Sequence, residues 1–329
     1  MKLESMGMFK MDALDIQKIV DELSAFTCTG SDLDSTNNPI LSIVLVNWKT
    51  RDLLNQCIKS IYKNTKRTLF EIMVIDNNSR DGSAELVMES FQKVLLTVNN
   101  DNAGHAKAMN QAAKLCHGTY ILFLNPDTII LDSALDNLVD FINAHPDTGA
   151  VTPKILGITG TLDKGCRRLK YTKSSLFFEY VGLSHLLPKS HIFGRHFMTC
   201  FDEDLITDVD IITGICMLVR KETLDKIGLF DEKFYLMIED IDLSYRIRNA
   251  GWKIRYVPTA QIIHYHGQST KQRNDIQPLV RSEYIYFFRK HYGLGMVTFH
   301  LLLRFLTTPI RFGYAKVIDI KSAEGDLKN

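Results

Sequence analysis

The sequence predicts an α/β fold: a doubly wound, mostly parallel β-sheet followed by C-terminal helices. Three observations lead there. Between residues 40 and 145, four short apolar runs (Leu41–Val46, Phe70–Ile75, Val94–Val98, Tyr120–Leu124) each precede a stretch of helical periodicity. The first two and the fourth are nearly continuous in apolar character, as strands covered on both faces require. Each run ends in a polar loop, and right-handed crossovers bring all such loops to one edge of the sheet, where ligands of open α/β sheets bind.

The elements follow in order. Residues 1–39 read as an N-terminal extension and linker: a weakly amphipathic helix carrying Leu14, Ile16, Ile19, Val20 and Leu23, then the turn-rich TCTGSDLDSTNNP. The main domain is expected over 40–270. LSIVLV forms its first strand, with a helix from Asp52 to Tyr62; FEIMVI the second, with the loop DNNSRDGS and a helix from Ala84. VLLTV leads to NNDNAGHA and a helix through Cys116; YILFL leads to NPDT and a helix from Ser133 to Ala144. Beyond Ala150 the alternation fails. GAVTPKI and GICMLVR read as strands around an irregular basic and aromatic stretch with Arg167, Arg168, Lys170, Tyr171, Phe177, Phe178 and Tyr180.

In Phe230–Trp252, apolar Phe234, Leu236, Met237 and Ile238 run into Glu239, Asp240 and Asp242. Leu243, Ile247 and Ala250 then recur at helical spacing, and Gly251 marks the stop. A helix start needs one acidic cap, so this cluster reads either as a capped, dipole-compensated helix or as part of a site. Asp242 lies four residues before Arg246, the spacing of a helix ion pair. Residues 271–329 turn helical again.

Composition narrows the function. With 329 residues, 45% hydrophobic and 23% charged, the chain reads as an ordinary soluble globular protein; a net charge of +1 predicts neither nucleic acid nor an acidic partner. Its six cysteines form no CxxC pair, which excludes a zinc cluster or disulfide framework and suits reduced thiols in the cytoplasm. Charges interrupt the first residues where a signal peptide needs an apolar core. No apolar run reaches the roughly 18 residues of a spanning helix. The chain is therefore expected in the cytoplasm, in reach of a membrane.

The strand-end loops carry the chemistry: Asn47 and Trp48; Asp76-Asn77-Asn78-Ser79; Asn102-Ala103-Gly104-His105 with Lys107 and Asn110; Asn125-Pro126-Asp127. In any single loop these residues read first as turn formers. Four consecutive loops of this kind on one edge exceed what turns require. Neither GxxxxGK[ST] nor GxGxxG follows the first strand, which disfavours an ATPase or a dinucleotide dehydrogenase. Asp76 can accept from a pyrimidine ring N–H, and Asp127 can hold a divalent cation against a diphosphate.

In order, LVNWKT, VIDNNSRDGS, NAGHAKAMN, LFLNPDT, CMLVR, FDEKFYLMIEDIDLSYR, GWKIRYVPTA and IIHYHGQS resemble glycosyltransferase family 2, and within it the rhamnosyltransferase type. The resemblance covers about residues 40–270. It implies a GT-A fold, with a Rossmann-like nucleotide-binding half and an acceptor-binding half, and inverting transfer from a nucleotide-diphosphate sugar. By that resemblance Asn47, Asp76, Asn78, Gly104, Lys107, Asn125 and Asp127 line the nucleotide-sugar pocket. Asp127 takes the last position of the Asp-x-Asp metal motif, and His264, followed by Gly267 and Ser269, that of a second ligand to Mg²⁺ or Mn²⁺. His266 is read as a packing residue. Asp240 takes the place of the catalytic base, where the helix dipole is expected to favour its ionised form, with Glu239 beside it. The commoner metal motif begins with Asp; here Asn125 stands there, as in many relatives of this type, leaving a weaker site for a hard cation.

The expected reaction is transfer of L-rhamnose from dTDP-L-rhamnose to a saccharide or polyprenyl-diphosphate-linked acceptor in polysaccharide or cell-wall assembly. A UDP-hexose or UDP-galactofuranose donor, or a catalytically silent scaffold on the same fold, remain alternatives. The tail around Tyr284–Tyr292 and Met296–Leu306 suits helices closing the domain, a homodimer contact, or a surface lying on the inner face of the membrane.

Overall fold

The computed structural model describes residues 11–27, 39–265 and 276–308. His266, Gly267 and Ser269 lie outside the described residues, as does the tail from 309. The chain opens with α1 (Ala13–Ala25), β1 (Leu41–Asn47), α2 (Arg51–Asn64), β2 (Phe70–Asp76), α3 (Ser83–Ser90), β3 (Leu95–Val98) and α4 (His105–Ala113). It continues through β4 (Tyr120–Leu124), β5 (Thr128–Ile130), α5 (Ala134–Ala144), β6 (Thr148–Gly157) and β7 (Arg167–Arg168). Then come α6 (Lys173–Tyr180), α7 (Leu183–Leu186), β8 (Thr207–Val209), β9 (Ile211–Ile212), β10 (Cys216–Arg220) and α8 (Lys221–Ile227). Last are α9 (Glu239–Asn249), β11 (Lys253–His264), α10 (Ile276–Tyr292) and a further helix, α11, over 294–308.

The main sheet runs β3-β2-β1-β4-β10-β6-β11-β5, with β8 paired to β11. β1 is parallel to β2 and β4, and β2 to β3, as the alternating pattern predicts. β10 is inserted antiparallel between β4 and β6, so β6 and its parallel neighbour β11 point the same way as β1. The carboxyl ends of β1, β2, β4 and β11 therefore share one edge. β1 and β2 are buried along their whole length, which explains why they lack polar alternation.

Several strands escape the sequence pattern, the short β7, β8 and β9 in the stretch read as irregular and, closer to the site, β11 and β5. β11 contains Pro258, which cannot donate to a ladder, and its pairing with β6 slips between Val257 and Gln261 to accommodate it. β5 is three residues long and is held by antiparallel pairing to β11, with Thr128 opposite His264. Near residue 116 the helix stops earlier than expected, at Ala113.

The chain divides into two compact units. The first comprises residues up to Arg168 together with Asp202–Val280 and contains the whole main sheet. Helix α1 belongs to it: Ile16 and Leu23 bury against Ile129 of β5 and Ile263 of β11. Asp12 caps that helix, accepting from the N–H groups of Leu14 and Asp15 while its own N–H donates to Asp15. The second unit comprises Leu169–Phe201 and the chain from Arg281. Its core is aromatic: the Tyr171 ring lies 4.6 Å from His196 and 5.5 Å from Phe288. Burial, with Arg304 and Arg281 nearby, pushes the His300 imidazole down to about 4.

Candidate active site

At the ends of β1 and β2 the parallel register sets Asn47 beside Asp76. Asn47 Nδ2 donates to Asp76 Oδ1 at 2.8 Å and to Ser79 Oγ at 3.0 Å. Ser79 in turn donates its hydroxyl to Asp76 Oδ1 (2.5 Å) and its N–H to Oδ2 (2.9 Å). Asn47 and Asp76 are both buried, so the network fixes the strand ends and leaves spare acceptor positions on the carboxylate. Asn78 adopts a left-handed backbone (φ 60°) and donates to Asn100 O at 2.9 Å, tying this loop to the one after β3. Lys107 is exposed on the first turn of α4.

Gly104 caps α4 with φ 87°, and a Cβ there would lie 2.8 Å from the Tyr235 ring, so only glycine permits this approach. The His105 N–H donates to Tyr235 O at 2.8 Å. His105 Nδ1 stands 2.7 Å from Glu239 Oε1, and Glu239 Oε2 accepts the Met237 N–H at 2.6 Å. Burial opposes protonation of His105, but the bond to Glu239 and the charges of Glu239, Asp240 and Asp127 outweigh it and raise its pKa.

Asp240 sits on the first turn of α9, 8% exposed. Its Oδ2 accepts the Gly214 N–H and its Oδ1 the Ile241 N–H, both at 2.7 Å. Burial, then the charge of Glu239, pushes its carboxyl up to about 6, against the pull of Arg168 and the two N–H groups. Burial and the neighbouring Glu239 thus act against the ionised form that the helix dipole is expected to favour. Asp242, wholly buried, pairs with Arg246 Nε at 2.8 Å, the structural role its spacing predicts.

Across the edge, Asp127 Oδ1 lies 3.2 Å from His264 Nε2, both side chains nearly buried. The Tyr265 N–H donates to Asp127 O, and the Asn125 N–H to Ile215 O, fixing this loop against β10 and β11. Two adjacent ligands of one octahedral cation at about 2.1 Å would stand about 3 Å apart, so this pair fits such an ion. Among the described residues no cluster of three His, Cys, Asp or Glu adds a third protein ligand. Thus the structure joins Asn47 to Asp76, Asp127 to His264, and Glu239 to the residue after Gly104; Asp240 follows Glu239 on α9, while Asn78 and Asn125 lie in the loops after β2 and β4 and Lys107 on α4. Sequence reasoning missed His105, Ser79 and Gly214 as parts of the site. His105 and Ser79 stood in the highlighted loops but read as turn residues; Gly214 acts through its backbone, which no residue type announces.

The sheet has the GT-A fold of glycosyltransferases. A family model described as glycosyl transferase family 2 matches residues 42–227, and the chain belongs to that family of enzymes. It is 24% identical over 271 residues to N-acetylglucosaminyl-diphospho-decaprenol L-rhamnosyltransferase of Mycobacterium tuberculosis, covering 77% of this chain and 86% of that protein. It is 30% identical over 241 residues to the O-antigen biosynthesis protein RfbC of Myxococcus xanthus, 71% of this chain but 18% of that one. Among solved structures, GalNAc-T7 with UDP, GalNAc and Mn²⁺ superposes with a TM-score of 0.55 at 18% identity, over 70% of this chain and 45% of that one, a likeness in fold.

Proposed function

We propose that the chain transfers L-rhamnose from dTDP-L-rhamnose, with inversion, to a saccharide on a polyprenyl diphosphate. The observation that carries this reading is Asp240: a nearly buried carboxylate on the common edge, with a pKa near 6 and both oxygens oriented by backbone N–H groups. A general base is most effective when its pKa lies close to the working pH. The acceptor hydroxyl oxygen attacks the anomeric carbon on the face opposite the diphosphate, whose bond to that carbon breaks as the new one forms. The leaving oxygen keeps the electron pair, and Asp240 takes the hydroxyl proton. Asn47, Asp76 and Asn78 orient the nucleotide, with Gly104, Lys107 and Asn125 completing the donor pocket. Asp127 and His264 would hold Mg²⁺ or Mn²⁺, which, when bound, offsets charge on the diphosphate. Similarity to the mycobacterial rhamnosyltransferase supports the choice of sugar.

The same reading gives residues 271–329 the task of meeting the membrane that carries the acceptor. Helix α11 exposes Leu294, Leu302, Phe305 and Leu306, and among the described residues no helix is long and apolar enough to cross a membrane. Flotation with anionic vesicles tests it: Leu302→Ser with Phe305→Ser should reduce binding, and unchanged flotation rejects the contact.

Thermal-shift measurements against dTDP-L-rhamnose, UDP-glucose and UDP-galactofuranose, each with and without Mg²⁺ or Mn²⁺, test the donor. The correct donor raises Tm by mass action. Stabilisation by a UDP-sugar alone would replace rhamnose with that sugar.

A further inference from the structure

We propose that His105 is a positioning residue for the transfer: its ion pair with Glu239 holds that carboxylate in place beside Asp240 and offsets its charge. The proposal rests on the reading of Asp240 as the base. His105 opens α4, where the helix dipole works against a cation, so other charges must hold one there. They are present. His105 meets Glu239 at 2.7 Å, and the charges of Asp240, the next residue on α9, and of Asp127, beyond β4, also act on it.

The surrounding contacts show what the pair fastens. Asn110 of α4 donates to Phe230 O (2.9 Å) and accepts the Phe230 N–H (3.0 Å). The Tyr235 hydroxyl donates to Asn102 O at 3.1 Å, and the His105 N–H returns a bond to Tyr235 O. The segment leading into α9 is thus stitched to the loop and helix after β3, and the His105–Glu239 pair is the stitch next to Asp240.

With Oε1 on His105 and Oε2 on the Met237 N–H, the Glu239 carboxylate is held in one orientation beside Asp240. Its effect on Asp240 is electrostatic. The charged groups acting on Asp240 include Glu239 on α9, Arg168 on β7 and His105 itself on α4; those acting on His105 are Glu239, Asp240 and Asp127. Removing the imidazolium would leave the Glu239 charge uncompensated next to the base.

The test is an NMR titration of the full chain carrying ¹³Cγ-labelled aspartate, with the Asp240 resonance identified by its loss in Asp240→Asn. In His105→Gln the Asp240 midpoint should rise by about one pH unit, and in Glu239→Gln it should fall. Adding His105→Gln to Glu239→Gln should move it less than His105→Gln does alone. An unchanged midpoint in His105→Gln overturns the proposal, as does an equal shift in the Glu239→Gln background, which would mean that His105 does not act through Glu239. Should His105→Gln fail to fold, His105→Lys keeps the cation and should hold the wild-type midpoint; a midpoint raised there overturns the proposal. Transfer by Asp240→Asn at the wild-type rate would remove the base assignment while leaving the titration result intact, so the two readings fail separately.

Discussion

His264 Nε2 stands 3.2 Å from Asp127 Oδ1, joining the end of β11 to the loop after β4 through the antiparallel pairing of β5 with β11. If this pair holds a cation, each residue supplies about half of the protein's ligands. Replacing His264 by Ala should weaken Mn²⁺ binding, read by electron paramagnetic resonance in the presence of nucleotide diphosphate, by tenfold or more, roughly the least that losing even an outer-shell partner costs. Asp127→Asn should do the same. Equal Mn²⁺ occupancy in all three proteins would place the cation elsewhere or remove it.

Asp240 leads to a second prediction. Its raised pKa means that activity falls as pH drops through about 6, where the carboxylate takes up its proton and ceases to act as a base. Asp240→Asn should lower kcat by about 10²–10⁴-fold and abolish that acidic limb. Stability gives an independent reading. A carboxyl raised from 3.8 to about 6 binds its proton more tightly when folded, so it favours folding at low pH. That contribution is lost as pH rises from the unfolded value through the folded one. The difference in Tm between wild type and Asp240→Asn should therefore change across that interval and stay level above it.

Much of this was legible in the chain. Strands β1, β2 and β4 declare themselves because they are buried on both faces, and the acidic start of α9 because helix periodicity follows it. Asp242 was separable from Asp240 by its spacing to Arg246 alone. What stayed hidden depends on tertiary contact. β5 exists only through its pairing with β11, and β11 is masked by Pro258. The state of Asp240 is decided by burial against Gly214 and by Glu239, and a local rule about helix dipoles does not contain that desolvation.

Among the described residues, the four buried cysteines should be silent to thiol reagents. Burial pushes Cys57, Cys116 and Cys166 up to about 12 and raises Cys216 as well, while Cys200 is partly exposed. The thiolate is the reactive form, so at pH 8 these four should react only on unfolding. In native protein, Cys200→Ser should remove one titratable thiol, and Ser at 57, 116, 166 or 216 should remove none. Rapid labelling of any of the four would show that its surroundings open.

Asp242 and Arg246 carry the last prediction, on stability. The Asp242 side chain is fully buried, and Arg246 reaches it at 2.8 Å while also donating to the carbonyls of Ile227, Gly228 and Leu229 at 3.0, 3.0 and 2.7 Å. That guanidinium joins the end of α8 to α9, so it supports the helix that presents Asp240. Arg246→Ala takes the guanidinium away from a buried carboxylate and a donor away from three carbonyls. The expected cost is about 3–5 kcal/mol, as when one member of a buried pair is removed, measured by urea unfolding at neutral pH. Replacing both residues by Leu removes the buried charge as well and should recover a substantial part of that loss. A cost for Arg246→Ala below about 1 kcal/mol, the range of an exposed pair, would mean that solvent reaches Asp242.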